Sequence, residues 1–97
     1  MSKAKTALEV RGEFLSYLRE VSKYWAGLSG KTAQERCDGL VFSILNVFDG
    51  CSVGLPAMDI CLRPHRDDKA YYEGEGVDWY EDGQVINHCH LHEMWYE

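Results

Sequence analysis

Long apolar runs are absent from this sequence. The longest stretch of this kind, residues 40–45, is far shorter than the roughly 20 residues that a membrane-spanning helix needs. Charged residues at Glu9, Arg11 and Glu13 interrupt the first fifteen positions, so no continuous apolar segment of a secretory signal is found there. Both absences favour a soluble protein with a cytoplasmic location and no membrane contact.

Closely spaced cysteine pairs are lacking as well. The four cysteines stand at positions 37, 51, 61 and 89, and no two of them form a C-x-x-C motif. An even number of cysteines indicates a disulfide framework only in a secreted chain. We therefore expect reduced thiols that behave mainly as small hydrophobic residues.

Basic residues are scarce in the last third of the chain. Residues 1–64 contain eight Lys or Arg and seven Asp or Glu, whereas residues 65–97 contain two Lys or Arg and nine Asp or Glu. Binding to a nucleic-acid backbone requires clustered Lys and Arg. The composition argues against direct phosphate contacts and is compatible with a basic partner protein or a cation.

The sequence does contain enough apolar material for a core. Hydrophobic residues occupy 45% of the 97 positions and aromatic residues 12%, which is unlike the composition of disordered chains. The length matches one domain, so we expect residues 1–97 to form a single folding unit.

Two capping boxes mark helices in the first half. Thr6 and Thr32 are each followed by a glutamate three positions later, a spacing at which both side chains bind free amides of a first helical turn. Apolar residues then recur at steps of three and four. The pattern predicts helices at about 6–29 and 32–48. The second is apolar almost all round, which is typical of a buried helix or an oligomer interface.

Alternating apolar and polar residues predict strands in the second half. Pro56 and Pro64 bracket one alternating run, and Asp82-Gly83 separates two runs rich in aromatic and β-branched residues, as in a two-residue hairpin turn. The predicted antiparallel strands are about 57–63, 77–81 and 84–96. The resulting prediction is an α+β fold in which two N-terminal helices pack on a small three-stranded antiparallel sheet (ααβββ).

The last predicted strand carries three histidines at alternate positions, His88, His90 and His92. Side chains two residues apart on a strand share one face, so the three imidazoles would lie together. Histidine is a common ligand of zinc and other transition metals. The row is a candidate metal site; the competing interpretation is a solvated or interface face.

A second polar cluster, comprising His65, Asp67, Asp68 and Lys69, follows Pro64. Such a loop could hold a cation or a substrate amine, with His65 exchanging a proton near neutral pH. The simpler interpretation is a solvated turn in which Asp67 or Asp68 caps a short helix.

Large aromatic residues accumulate in the acidic half. Burying all of them under two helices is demanding in a chain of this length, and those left outside would supply the Trp and Tyr that protein interfaces prefer. We expect the exposed ones to bind a protein partner or a second copy of the chain. The candidates are Trp79, Tyr80, Trp95 and Tyr96.

Five short segments carry a similarity to other proteins: residues 40–45, Asp49-Gly50, Leu55-Pro56, residues 63–69 and residues 91–93. With them, about residues 32–97 resemble a family of small uncharacterised bacterial and phage-type proteins. The resemblance implies a bacterial or mobile-element origin, where small acidic proteins often act as inhibitors or adaptors. It implies no catalytic residue.

These features favour a small acidic protein without enzymatic activity that acts in protein–protein interaction or regulation, as a homodimer or with a basic partner. The alternative is a metal-binding protein or a small metal-dependent enzyme that uses the His88, His90 and His92 row, with zinc as a candidate ion. A third hypothesis is mimicry of nucleic acid by the acidic third.

Overall fold

The computed structural model describes residues 1–96, of which about half are helical. The helices are α1 (Ala7–Ala26), α2 (Ala33–Phe48), α3 (Asp68–Glu75) and α4 (Leu91–Met94). Helix α2 contacts both α1 and α4, whereas α3 contacts no other helix of the described chain. Across residues 1–96, no helix combines the length and apolar character needed to cross a membrane.

Both predicted N-terminal helices are confirmed, and both begin at their capping boxes. The Thr6 hydroxyl accepts the Glu9 amide at 3.1 Å, and the Thr32 hydroxyl accepts the Glu35 amide at 3.1 Å. Each glutamate carboxylate accepts the amide of its threonine in return. Helix α1 ends earlier than predicted, at Gly27, whereas α2 ends at Asp49 and Gly50 as the sequence indicates.

Trp25 of α1 contacts two residues of α2. Its indole Nε1 donates to the Ser43 hydroxyl at 2.8 Å, and its ring lies directly against Gly39. Phe14 and Phe48 add a ring contact with centroids 5.9 Å apart. A side chain at position 39 would occupy the space of the indole, so the glycine is what lets the two helices approach here.

The predicted three-stranded sheet does not occur in residues 1–96, so the α+β (ααβββ) prediction is wrong. The described chain has one isolated antiparallel bridge, between Cys61 and Val85. A two-residue hairpin at Asp82-Gly83 would need positive φ at both positions, but only Gly83 has it, with φ of 79°. The Gly83 amide instead donates to the Leu62 carbonyl at 2.8 Å. Residues 83–86 therefore pair with residues 60–62 and not with 77–81.

The predicted strand at 84–96 is also replaced by other structure. Its first residues contribute to the bridge with Cys61, and its later residues form α4. The alternating histidines suggested a strand, but the amide of His92 is bound by the Asp49 carboxylate at 2.8 Å. An acceptor on a distant element thus takes an amide of the first turn of α4, which favours the helical turn.

The paired segments 58–62 and 83–87, which we call the neck, close a loop of residues 63–82, which we call the lobe. Asn87 is buried in the neck and spans it: its Oδ1 accepts the Ile60 amide at 2.8 Å, and its Nδ2 donates to the Met58 carbonyl at 2.6 Å. The Met58 amide donates to the Phe48 carbonyl at the end of α2. The neck therefore joins the lobe to the helical part of the chain.

We expect Gly39→Ala to lower the free energy of unfolding by about 1–3 kcal/mol. The added Cβ would lie 2.3 Å from a ring carbon of Trp25, which must shift and weaken its bond to Ser43. Urea unfolding at one fixed protein concentration measures the change. Gly74→Ala in α3 is the control, because nothing lies within 4 Å of its added methyl group; a Gly39→Ala protein as stable as this control would contradict the packing described.

Candidate functional site

A largely enclosed polar contact joins Asp49, at the end of α2, to His92 in α4. The Asp49 side chain is 0% exposed and that of His92 is 15% exposed. One carboxylate oxygen, Oδ2, accepts both the His92 amide at 2.8 Å and the imidazole Nδ1 at 2.5 Å. The other oxygen, Oδ1, is buried without a hydrogen-bond partner in residues 1–96.

The charge state of Asp49 follows from these contacts. Burial by itself would raise the pKa of Asp49, but the hydrogen bonds from the amide and ring of His92 outweigh it and hold the pKa below its ordinary value of 3.8. An ionised carboxylate can only accept, so Nδ1 of His92 carries the proton of the shared bond. The imidazole is thereby fixed in one orientation.

A carboxylate that orients a histidine through Nδ1 also occurs in nucleophilic catalysis, where Nε2 serves as a base. The chemistry then needs a nucleophile in hydrogen-bond reach of the histidine. In residues 1–96, no hydrogen bond joins His92 to a serine, cysteine or tyrosine, and its ring contacts Phe42 and His90 with centroids 5.6 Å apart in each case. The Asp49–His92 pair joins α2 to α4, and we call it the clasp.

The histidine row is arranged differently from the prediction. His90 and His92 lie side by side with their rings stacked, whereas His88 is exposed and makes no ring contact with them. Nδ1 of His90 lies 3.2 Å from the Glu93 carboxylate. The structure brings together no group of three His, Cys, Asp or Glu side chains suited to a metal within residues 1–96. The premise of a shared strand face was wrong, and zinc binding stays a prediction.

The polar cluster after Pro64 spans the turn before α3 and the first two residues of that helix. The Asp68 carboxylate accepts the His65 amide at 3.0 Å, and Nδ1 of His65 accepts the Asp67 amide at 3.2 Å. Asp67 occupies the position before the first helical residue but makes no side-chain cap. Lys69 lies 4.9 Å from the centroid of the Trp79 ring. These contacts agree with a solvated turn at the start of a helix.

The four predicted partner-binding aromatics separate into two pairs. Trp79 and Tyr80 belong to the lobe, where Tyr80 contacts Tyr72 of α3 with centroids 6.3 Å apart. Trp95 and Tyr96 follow α4 and lie against α2: the Trp95 indole donates to the Asp38 carbonyl at 3.2 Å, and Tyr96 contacts Phe42. All four keep more than a third of their surface exposed. They therefore form two separate aromatic surfaces.

A cleft in the lobe lies beside Trp79 and Tyr80. Its volume is about 270 Å³, and its walls include the cationic side chains of Arg66 and Lys69 and the carboxylates of Glu81 and Asp82. Pockets for small molecules usually measure about 300–1,000 Å³. The cleft is smaller than that range and mixed in charge, so its geometry does not indicate a substrate site.

Comparison with family models, with curated proteins and with solved structures finds no match to this chain. The resemblance to small bacterial and phage-type proteins therefore stays a prediction.

We expect Asp49→Asn to lower the free energy of unfolding at pH 7 by about 1–3 kcal/mol, because the replacement weakens a buried, charge-assisted bond. The pKa of Asp49 is lower in the folded chain, so its contribution is complete above about pH 4 and is lost as the pH falls through the folded pKa. The difference between variant and wild type should shrink below pH 3.8.

Urea unfolding at pH 7 and at pH 3 measures this effect. Asp67→Asn is the matched control, because the Asp67 side chain is 78% exposed and its replacement should change stability by less than about 0.5 kcal/mol. A deficit of Asp49→Asn that has the same size at both pH values would contradict the clasp.

Proposed function

We propose that this chain is a non-enzymatic interaction protein that works as a self-associated assembly, with its acidic lobe offered to a basic protein surface. The observation that carries the proposal is the surface that one chain leaves open. A single copy exposes 7672 Å², whereas a compact monomer of 11.1 kDa exposes about 5,700 Å². The excess is about 2,000 Å² for each chain.

The excess of exposed surface has the size of the surface that each chain of an obligate dimer buries. Obligate dimers bury about 2,000–5,000 Å² in total, or about 1,000–2,500 Å² from each partner. The chain also has a radius of gyration of 17.5 Å and extends 51 × 46 × 20 Å, whereas a compact chain of this length has a radius near 13 Å. A flat, open shape leaves faces on which a second copy can pack.

The weakness of the internal core supports the same proposal. Among the hydrophobic residues described, only Val47 and Leu55 are buried, and most of the apolar side chains of α2 are half-buried. Burial of apolar surface is the main term that stabilises a fold, at about 25 cal/mol per Å². Association would supply the burial that one chain lacks.

The exposed aromatics fit an interaction role. Tyr80 and Tyr96 are more than 60% exposed, and Trp79 and Trp95 are each 39% exposed. Trp and Tyr are the residues that most often dominate binding energy at protein interfaces. Arg66 and Lys69 also lie beside these rings, but the lobe as a whole has seven Asp or Glu and three Lys or Arg, a net charge of −4 that would favour a basic surface.

A cytoplasmic location is part of the proposal. The four cysteines are unpaired and exposed in the described chain. Exposed thiols that stay reduced are typical of cytosolic proteins. The exposure differs from the apolar surroundings expected from the sequence, so these thiols contribute little to packing.

We expect the urea midpoint of the wild-type chain to rise with protein concentration. Folding coupled to association is favoured by mass action, so each tenfold increase in concentration adds about 1.4 kcal/mol to a two-state dimer. Circular dichroism over a hundredfold concentration range measures this shift. A midpoint that does not move over that range would contradict obligate self-association.

A further inference from the structure

Helix α1 presents three faces, because successive residues turn by about 100°. One face holds the half-buried side chains that pack towards α2, among them Phe14, Val21 and Trp25. A second face carries three glutamates. The third face, which we call the cationic face, holds two leucines and three basic residues and no acid. Its members are Leu8, Arg11, Leu15, Arg19 and Lys23.

The cationic face has no partner within residues 1–96. Leu8 is 66% exposed and Leu15 is 42% exposed. Arg11, Arg19 and Lys23 form no ion pair in this part of the chain, whereas two glutamates of the second face are paired with lysines that precede α1. Exposed leucines flanked by unpaired cations make a surface that suits an acidic partner with apolar side chains.

The lobe carries the complementary set of side chains. Residues 73–82 contain five Asp or Glu and no Lys or Arg. Asp78, Glu81 and Asp82 flank the exposed rings of Trp79 and Tyr80. The lobe is attached to the remainder of the chain through the neck, and its helix α3 contacts no other helix. Within the lobe, Lys69 lies over the Trp79 ring and the Trp79 indole donates to Glu81. The rings of Trp79 and Tyr80 nevertheless remain 39% and 63% exposed, and this exposed surface is available to another molecule.

We propose that the lobe of a second copy docks on the cationic face of α1. The rings of Trp79 and Tyr80 would cover Leu8 and Leu15, and Asp78 and Asp82 would pair with Arg11 and Arg19. This inference rests on the proposed self-association and specifies its interface. Two copies that exchange lobes reciprocally satisfy both surfaces of each chain, and such a two-fold arrangement closes without further growth.

A second copy of the chain accounts for both exposed surfaces, whereas a foreign partner would account for one of them. The basic surface that the lobe requires and the acidic surface that α1 requires are both present on this chain. One reciprocal contact would cover two exposed surfaces on each copy, which agrees with an excess of about 2,000 Å² per chain.

Charge reversal on the cationic face is the first test. The Arg11→Glu/Arg19→Glu variant places like charges opposite the acidic lobe, which opposes docking. We expect its dimer dissociation constant, measured by analytical ultracentrifugation, to rise at least about 100-fold. The control, Lys3→Glu/Lys31→Glu, has the same change in net charge away from this face and should stay within about threefold of wild type.

Charge reversal on the lobe provides the rescue. Asp78→Arg/Asp82→Arg replaces by cations the two carboxylates proposed to pair with α1, and it changes the net charge of the lobe from −4 to 0. Position 82 does not have the positive φ that would disfavour an arginine. Alone, this variant should also dissociate. Mixed one to one with Arg11→Glu/Arg19→Glu it should form a mixed dimer, because both lobe contacts then join opposite charges. The chain that carries all four substitutions should dimerise by itself.

The results separate the two proposals. A wild-type chain that is monomeric at high concentration overturns both the self-association and this interface. A wild-type dimer that the Arg11→Glu/Arg19→Glu variant retains overturns only the lobe contact. Dissociation of both double variants without recovery in the mixture or in the fourfold variant also overturns it, because the substitutions then act through folding and not through charge pairing.

Discussion

The shortage of buried apolar surface is the constraint on which the rest of this structure depends. The chain is rich in hydrophobic residues, yet in the described part only Val47 and Leu55 are buried hydrophobic side chains. Helix α2 is covered by α1 on one side and by α4 on another, and its remaining apolar surface stays half open. A fold with so little internal burial gains little stabilisation by itself.

Buried polar contacts hold together elements that a larger apolar core would otherwise hold together. The Asp49–His92 pair holds α4 to α2, and Asn87 holds the two sides of the neck together. Each lies where solvent is largely excluded, so each loses much if one partner is removed. These contacts define where the second half of the chain sits, and they leave the lobe extended from the helical part. The arrangement supplies an acidic aromatic surface at one place and a cationic helix face at another.

The parts of the fold that local chemistry determines could be predicted. A capping box lies within four residues, so Thr6, Thr32 and their glutamates identify both helix starts. The strand prediction was wrong because alternation shows which residues share a face but not which segment pairs with which. Residues 83–86 pair with residues 60–62. The alternating histidines lie partly in α4, where Asp49 binds the His92 amide. Nothing near Asp49 or Asn87 in the sequence indicates a partner 43 or 27 residues away. The exposed aromatic pairs were predicted as a surface, but their separation was not.

Small-angle X-ray scattering of the wild-type chain tests the central claim most directly, because one experiment reports both mass and size. Self-association predicts a scattering mass of about 22 kDa, which is twice the 11.1 kDa of one chain. This mass should not fall when the protein is diluted through the micromolar range. A particle of about 11 kDa would contradict it, most clearly with a radius of gyration near the 13 Å of a compact monomer. That result would mean that the lobe and the helices of one chain cover each other and that no second copy is needed.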